Sequence, residues 1–281
     1  VIIAETINEV RKYVKEQKMM GHTVGLCPTM GYLHAGHASL VKESAKRCDY
    51  TVASVFLNPT QFAQNEDLAG YPRDFERDCR ILEENGCDLV FHPSVEEMYP
   101  EGFATYVEIQ SEMPRQLCGK TRPTHFRGVC TVVNKLFNIV TPDMAFFGEK
   151  DAQQLAIVKQ MARDLSMDVE VIGCPIVREE DGLAMSSRNT YLNPEERKAS
   201  GILSDALELG KKLYNEGNDD AEAVTKAMSE LIEKEPLARI DYVSAVNAFT
   251  MMPVEKLSSD ALFALAVYIG KTRLIDNLRL S

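Results

Sequence analysis

Residues 23–37 read TVGLCPTMGYLHAGH, and the parsing of that stretch decides the fold. TVGLC (23–27) is a short apolar run, the pattern of a buried strand. A glycine-bearing turn follows, and from Gly36 to Arg47 the chain reads as a helix. A strand that turns straight into a helix is the building block of a parallel sheet covered on both faces. In such sheets ligands bind beyond the carboxyl ends of the strands. Two of the chain's five histidines, His34 and His37, fall at that position. Three residues apart, they share one face of a helical turn and are able to point at one phosphate. The helix N-terminus adds free N–H groups and partial positive charge. Gly36 lets a nucleotide approach the backbone. Two surface histidines beside a turn is the plainer alternative.

The pattern continues on both sides. Thr6 and Glu9 form a capping box that opens a helix to about Met20. DYTVASVFL (49–57) is a strand, FERDCRILEENG a helix ending at Gly86, and DLVFHP (88–93) a strand. GVCTVVNKLFNIV (128–140) is apolar at helical spacing, DMAFFG (143–148) a strand, DAQQLAIVKQMARDL (151–165) a helix and VEVIGCP (169–175) a strand. After about residue 176 the texture changes. Asn193-Pro194 opens a helix, another spans about 220–234, and RIDYVSAVNAF (239–249) and ALFALAVYIGKTRLIDNLRL (261–280) read as strands. The expected class is α/β: a Rossmann-like parallel-sheet domain over 1–176 and a smaller α+β C-terminal domain over 177–281.

Composition narrows the function. The chain has 281 residues, 45% apolar and 26% charged, ordinary values for a globular protein. No apolar run approaches the roughly 18 residues of a membrane helix. VIIAETINEVRKYVK carries no secretory signal pattern, and Val1 is expected to follow a removed initiator methionine. The seven cysteines make no CxxC pair, which disfavours a disulfide framework or a zinc site and fits a reducing cytoplasm. The net charge of −11 is spread over both halves with no basic face, so no nucleic-acid partner is expected.

Four more stretches carry donors or acids. GLAMSSRN (182–189) offers Ser186, Ser187 and the bidentate Arg188 to phosphate oxygens; an ordinary polar loop or a helix cap at either serine is the alternative. FFGEKDAQQL (146–155) is a second strand–helix corner. Lys150 there suits a phosphate, Asp151 a ribose hydroxyl or a cap, and Gln154 follows one turn on. In FLNPTQFAQNEDLAGYPRDFERD (56–78), Asn58-Pro59 marks a turn from which Gln61 projects toward a hydroxyl- and carboxylate-bearing substrate. Asp78 reads equally as a magnesium ligand or part of a solvated helix face. RPTHFRGV (122–129) gathers Arg122, His125 and Arg127 for a carboxylate or phosphate, or for surface acids.

PTMGYLHAGH contains neither a Walker loop nor GxGxxG. It resembles the HxGH signature of the nucleotidylyltransferase superfamily, and MSSRN resembles that superfamily's mobile KMSKS-type loop. Taken with NPTQF, YPR, RPTHFRGV and FFGEKDAQQL in that order, the chain resembles the pantothenate synthetase family, the pantoate–β-alanine ligases, over nearly its whole length.

The resemblance implies a cytoplasmic homodimer, with the C-terminal domain a lid, that uses ATP, pantoate and β-alanine with Mg2+ and serves coenzyme A synthesis. It implies pantoyl adenylate as intermediate, with pantothenate, AMP and pyrophosphate as products. By the same resemblance Met30, Gly31, His34, Gly36 and His37 line ATP, with His37 the proton donor. Gly148, Glu149, Lys150 and Asp151 hold the nucleotide, Val177 meets adenine through its backbone, and Met185, Ser186, Ser187 and Arg188 close over it. The catalytic set is His34, His37, Lys150, Ser186, Ser187 and Arg188; Gln61, Gln154, Arg122 and His125 serve the substrate, and Asp78 the metal. Ala35 stands where many members carry an acid, Arg77 replaces one of two paired acids, and Tyr32 and Thr60 replace commoner smaller or more flexible residues. Two other readings share these motifs: a nucleotidyltransferase that keeps the nucleotidyl group in its product, and a non-catalytic nucleotide sensor.

Overall fold

The computed structural model describes residues 1–63, 68 and 70–280. Residues 64–67 and 69 of the 56–78 stretch lie outside the described residues. Two compact units account for the chain: 1–110, 122–149 and 157–175 form the first, and 111–121, 150–156 and 176–281 the second.

The first unit is built on a six-stranded parallel sheet. The elements up to residue 175 are β1 (Ile2–Ala4), α1 (Ile7–Met19), β2 (Val24–Thr29), α2 (Ala35–Arg47), β3 (Tyr50–Val55), α3 (Phe75–Glu84), β4 (Leu89–Phe91), α4 (Val95–Met98), α5 (Cys118–Thr121, assigned to the second unit), α6 (His125–Val140), β5 (Met144–Gly148), α7 (Ala152–Asp164, of which 152–156 belong to the second unit) and β6 (Glu170–Cys174). The strand order is β1-β4-β3-β2-β5-β6. From β2 the chain winds one way through β3 and β4, then returns to the other side of β2 with β5 and β6. The topological switch therefore lies between β2 and β5, and ligands of such sheets bind beyond the carboxyl ends of the strands at that point.

Local signals set the element ends. Both halves of the Thr6–Glu9 capping box are made, and α1 follows it. Past α3, Gly86 takes φ +93, the left-handed conformation glycine adopts at little steric cost. β2 runs two residues further than its apolar run. Pro28 has no N–H to give, but Thr29 restores the pairing: its hydroxyl donates to the Ser54 carbonyl at 2.7 Å, and its own carbonyl accepts from Phe56 N at 3.1 Å. Leu33, Leu40 and Val41 of the β2–α2 connection and α2 pack with Cys27, Ala53, Val90 and Phe146 of the sheet in one buried cluster. All seven cysteines are free thiols. Among the described residues no helix is long and apolar enough to cross a membrane.

The second unit has α8 (Pro194–Ala199), α9 (Ile202–Asn215), α10 (Ala221–Ile232) and an antiparallel sheet of β7 (Ala238–Asn247), β8 (Ala261–Ile269) and β9 (Thr272–Arg279) in that order. Leu203, Leu207, Val224 and Met228 from the helices share a core with Phe263, Leu265 and Val267 of β8. A buried charge pair braces this unit. Arg178 reaches both oxygens of Asp276, at 2.7 and 3.0 Å, and the Asp276 side chain is 0% exposed. Removing one partner of such a pair leaves a buried charge uncompensated. Arg178→Met is expected to lower stability by about 3–5 kcal/mol, measured by urea unfolding followed by circular dichroism.

Candidate active site

In the first unit the residues singled out in sequence converge on the carboxyl ends of β2 and β3. The β2–α2 connection is short and tightly turned: Gly31 has φ +88 and Tyr32 φ +51, a left-handed conformation that disfavours a side chain. Asp78 on α3 holds it. One carboxylate oxygen accepts from Tyr32 N and the other from Leu33 N, both at 2.7 Å. Asp78 is 1% exposed. Burial pushes its carboxyl above the usual range, against the lowering effect of the two amides.

The loop delivers the chain to α2 with His34 as N-cap. His34 Nδ1 accepts from Gly36 N at 3.1 Å, and His37 Nδ1 accepts from His34 N at 3.3 Å. The two imidazoles thus form a reciprocal capping box at a helix start. With each Nδ1 bound to a backbone N–H, the neutral ring carries its proton on Nε2, a tautomer assigned from that network. The ring centroids lie 4.1 Å apart, so two Nε2–H donors stand side by side at a helix N-terminus. Gly36 has a further reason to be glycine: a Cβ there would meet His34 Cε1 at 2.8 Å and Nδ1 at 2.9 Å.

Gln61 ends the turn after β3 and is 8% exposed. Its Nε2 donates to Met30 Sδ at 3.1 Å, which ties the two loops together. Arg122 and His125, at the start of α6, reach the Gln61 carbonyl of that turn. Arginine only donates, so Arg122 Nη1, 3.2 Å from His125 Nε2, makes that nitrogen an acceptor. His125 Nδ1–H then donates to the Gln61 carbonyl at 2.9 Å. Arg127 lies over the Tyr106 ring, 4.9 Å from its centroid. Gly148 and Glu149 end β5 on the far side of the switch point.

The second unit gathers Lys150, Asp151, Gln154, Val177, Met185, Ser186, Ser187 and Arg188. Residues 177–185 make a tight hairpin: Met185 N donates to Val177 O at 2.9 Å and Glu179 N to Leu183 O at 2.8 Å. Arg197 clamps its tip through Glu179 and Asp181, and this guanidinium holds the Asp181 carboxyl below its ordinary value. Ser186 then caps the turn Ser187–Tyr191 by accepting from Arg188 N at 3.2 Å, so the cap alternative holds for Ser186. β9 joins the two segments. Asn277 Nδ2 donates to Lys150 O at 2.8 Å, and the Asn277 carbonyl accepts from Arg178 at 3.3 Å. The Lys150 ammonium makes no ion pair among the described residues, and it is half-buried.

Several contributors escaped the sequence reading. Asp276 and Asn277 interrupt an apolar strand, and that interruption was their signal. Gln153 gave none: it is buried, donates to Met113 O at 3.0 Å and Gln116 O at 2.7 Å, and accepts from Cys118 N at 3.1 Å. Gln153 braces the 113–118 segment, while its neighbour Gln154 is half-buried. Asn58 and Tyr99, bonded at 2.6 Å, complete the Gln61 turn.

The expectation of Asp78 as a magnesium ligand does not fit this donor set. Both of its oxygens already serve backbone amides, and it is nearly fully buried. Among the described residues no three His, Cys, Asp or Glu side chains are grouped to hold a metal.

A doubly wound parallel sheet with an HxGH helix start beside its switch point defines a nucleotidylyltransferase-type domain. The family model for pantoate-beta-alanine ligase matches residues 2–279, and the chain belongs to that family. It is 56% identical to the pantothenate synthetase of Ruminiclostridium cellulolyticum, over 97% of this chain and 96% of that one. The crystal structure of pantothenate synthetase from Thermus thermophilus superposes with a TM-score of 0.95 at 45% identity, covering 99% of each chain. That of the Francisella tularensis pantoate-beta-alanine ligase, complexed with beta-gamma ATP and beta-alanine, gives 0.82 at 33% identity, over 99% of this chain and 97% of that one.

Asp78→Asn removes one of two amide acceptors. It is expected to cost about 1–3 kcal/mol in urea unfolding and to weaken ATP binding, read by calorimetry.

Proposed function

We propose that the chain condenses pantoate with β-alanine at the expense of ATP, giving pantothenate, AMP and pyrophosphate. The observation that carries this reading is the reciprocal cap of His34 and His37, which aims two Nε2–H donors from a helix start. In the first step a pantoate carboxylate oxygen bonds to the α-phosphorus, and the bond to the bridging oxygen breaks. Pyrophosphate leaves with that electron pair. A carboxylate is already a nucleophile, so the protein's tasks are to align the reactants and stabilise growing negative charge. His34 and His37 supply donors for that charge, with His37 nearest the role of proton donor. In the second step the β-alanine amine attacks the acyl carbon, loses a proton, and AMP departs.

The remaining roles follow the family motifs. Gln61 and Gln154 contact pantoate, with Arg122 and His125 serving the substrate beside the Gln61 turn. Met30, Gly31, Gly36, Gly148, Glu149, Asp151 and Val177 contact the nucleotide. Lys150, Met185, Ser186, Ser187 and Arg188 meet its phosphates. Magnesium enters with the nucleotide, as part of the Mg·ATP substrate. The family resemblance also supports a homodimer and a cytoplasmic location.

Pantoate-dependent exchange of labelled pyrophosphate into ATP, with magnesium and without β-alanine, tests the first step. Exchange is expected; none, in folded protein that binds ATP, would overturn the reading in favour of another acceptor or a nucleotide sensor. Retention of the nucleotidyl group in the product would instead identify a nucleotidyltransferase. His37→Ala should keep the fold and lose about 100-fold in exchange rate. Lys150→Ala should raise the ATP KM or lower kcat, measured by steady-state kinetics.

A further inference from the structure

Asn58 sits at the centre of the Gln61 turn and is 1% exposed. Its amide oxygen accepts from Tyr99 Oη at 2.6 Å, Thr60 Oγ1 at 3.0 Å and Thr60 N at 3.4 Å. Its nitrogen donates to the Gly128 carbonyl at 3.2 Å and to Gln61 Oε1 at 3.0 Å. Two of these partners are backbone groups whose roles cannot swap: Thr60 N–H only donates, and the Gly128 carbonyl only accepts. The orientation of the Asn58 amide is therefore fixed. Because its nitrogen faces Gln61, Gln61 must turn its oxygen inward and its nitrogen away, onto Met30 Sδ. A thioether is a weak acceptor, so that N–H is readily given up to a stronger one.

We propose that Asn58, oriented by these two backbone groups, fixes the polarity of Gln61, so that the site offers the hydroxy acid an N–H donor and selects a carboxylate or hydroxyl oxygen, and that Tyr99 is a positioning residue that keeps Asn58 seated against Gln61. This rests on the role of Gln61 proposed above. Tyr99 makes the shortest bond in the network and, among the described residues, is the one donor to Asn58 from outside the turn. Its ring is itself held, 4.9 Å from Phe103 and 6.1 Å from Phe56, with Lys135 Nζ 5.8 Å from its centroid. Burial raises its phenol above the ordinary value, which keeps the hydroxyl a donor. Gly128 completes the arrangement. Any Cβ there would collide with the Thr60 carbonyl and Gln61 N, so α6 reaches the turn only as glycine.

The test is a set of steady-state KM values for pantoate and for ATP on the full chain. Tyr99→Phe is expected to raise the pantoate KM about 3- to 10-fold, the effect of one neutral hydrogen bond, with the ATP KM unchanged. In a Gln61→Ala background the same change should have no further effect, because its target is gone. Asn58→Asp provides an independent arm. A carboxylate there offers only acceptors, reverses the Gln61 amide, and should raise the pantoate KM more than Gln61→Ala does. If Tyr99→Phe fails to fold, the Asn58→Asp result decides. An unchanged pantoate KM in folded Tyr99→Phe, or an equal penalty with and without Gln61, overturns the role of Tyr99 alone. No pantoate-dependent turnover in the wild type overturns the functional reading and this role with it.

Discussion

Two 2.7 Å hydrogen bonds from the β2–α2 connection to the Asp78 carboxylate are the constraint on which the first unit's chemistry depends. The connection must reverse direction within a few residues, and it does so through positive φ at Gly31 and Tyr32. At a residue with a side chain that conformation costs on the order of 1 kcal/mol or more. A buried carboxylate that accepts two successive amides offsets the strain and leaves the chain one way to enter α2. The imidazole cap follows from that entry. His34, extended in its backbone, turns its ring to Gly36 N, and the ring edge occupies the space a Cβ at Gly36 would need.

The second unit solves a similar problem with a strand. Asp276 and Asn277 are adjacent on β9. One neutralises Arg178 at the base of the hairpin, and the other holds the Lys150 carbonyl. In both units the groups assigned to chemistry are mounted on buried polar residues. This is an expected cost of positioning: a buried polar group is tolerated only when its hydrogen bonds are made.

The parallel fold was legible because its signals are local. Apolar strands, glycine stops and capping boxes each span a few residues, and the element boundaries came within a residue or two of the observed ones for most of the sheet domain. β1 was the exception: three residues cannot show an alternation, and only pairing with β4 makes Ile2–Ala4 a strand. HxGH and the other motifs placed Gln61, Lys150 and Ser186–Arg188 on loops and strand–helix corners. What stayed hidden was support at long range. Asp78 lies 46 residues from Tyr32, and Tyr99 lies 41 from Asn58. Gln153 and Gln154 are chemically identical neighbours, and only the path of the 113–118 segment decides which is buried. Arg122 and His125 read as substrate groups by type, and their hydrogen bonds to each other and to the Gln61 carbonyl, 61 and 64 residues away, had no signal in the sequence.

The way the chain is shared between the units bears on the order of assembly during synthesis. Cys118 meets Arg273 across 155 positions of sequence, and Lys150 meets Asn277 across 127. As the chain leaves the ribosome, the sheet strands β1 to β6 are all available by residue 174, but the 111–121 and 150–156 segments must wait for β9. Until then they have each other, through Gln153, but not the Asn277 and Arg273 side chains. Contacts of such separation are slow to form, because loop closure precedes any gain. The nascent protein thus carries a completed parallel sheet with two open ends, and the last strand to emerge is the one that fixes Lys150 in place.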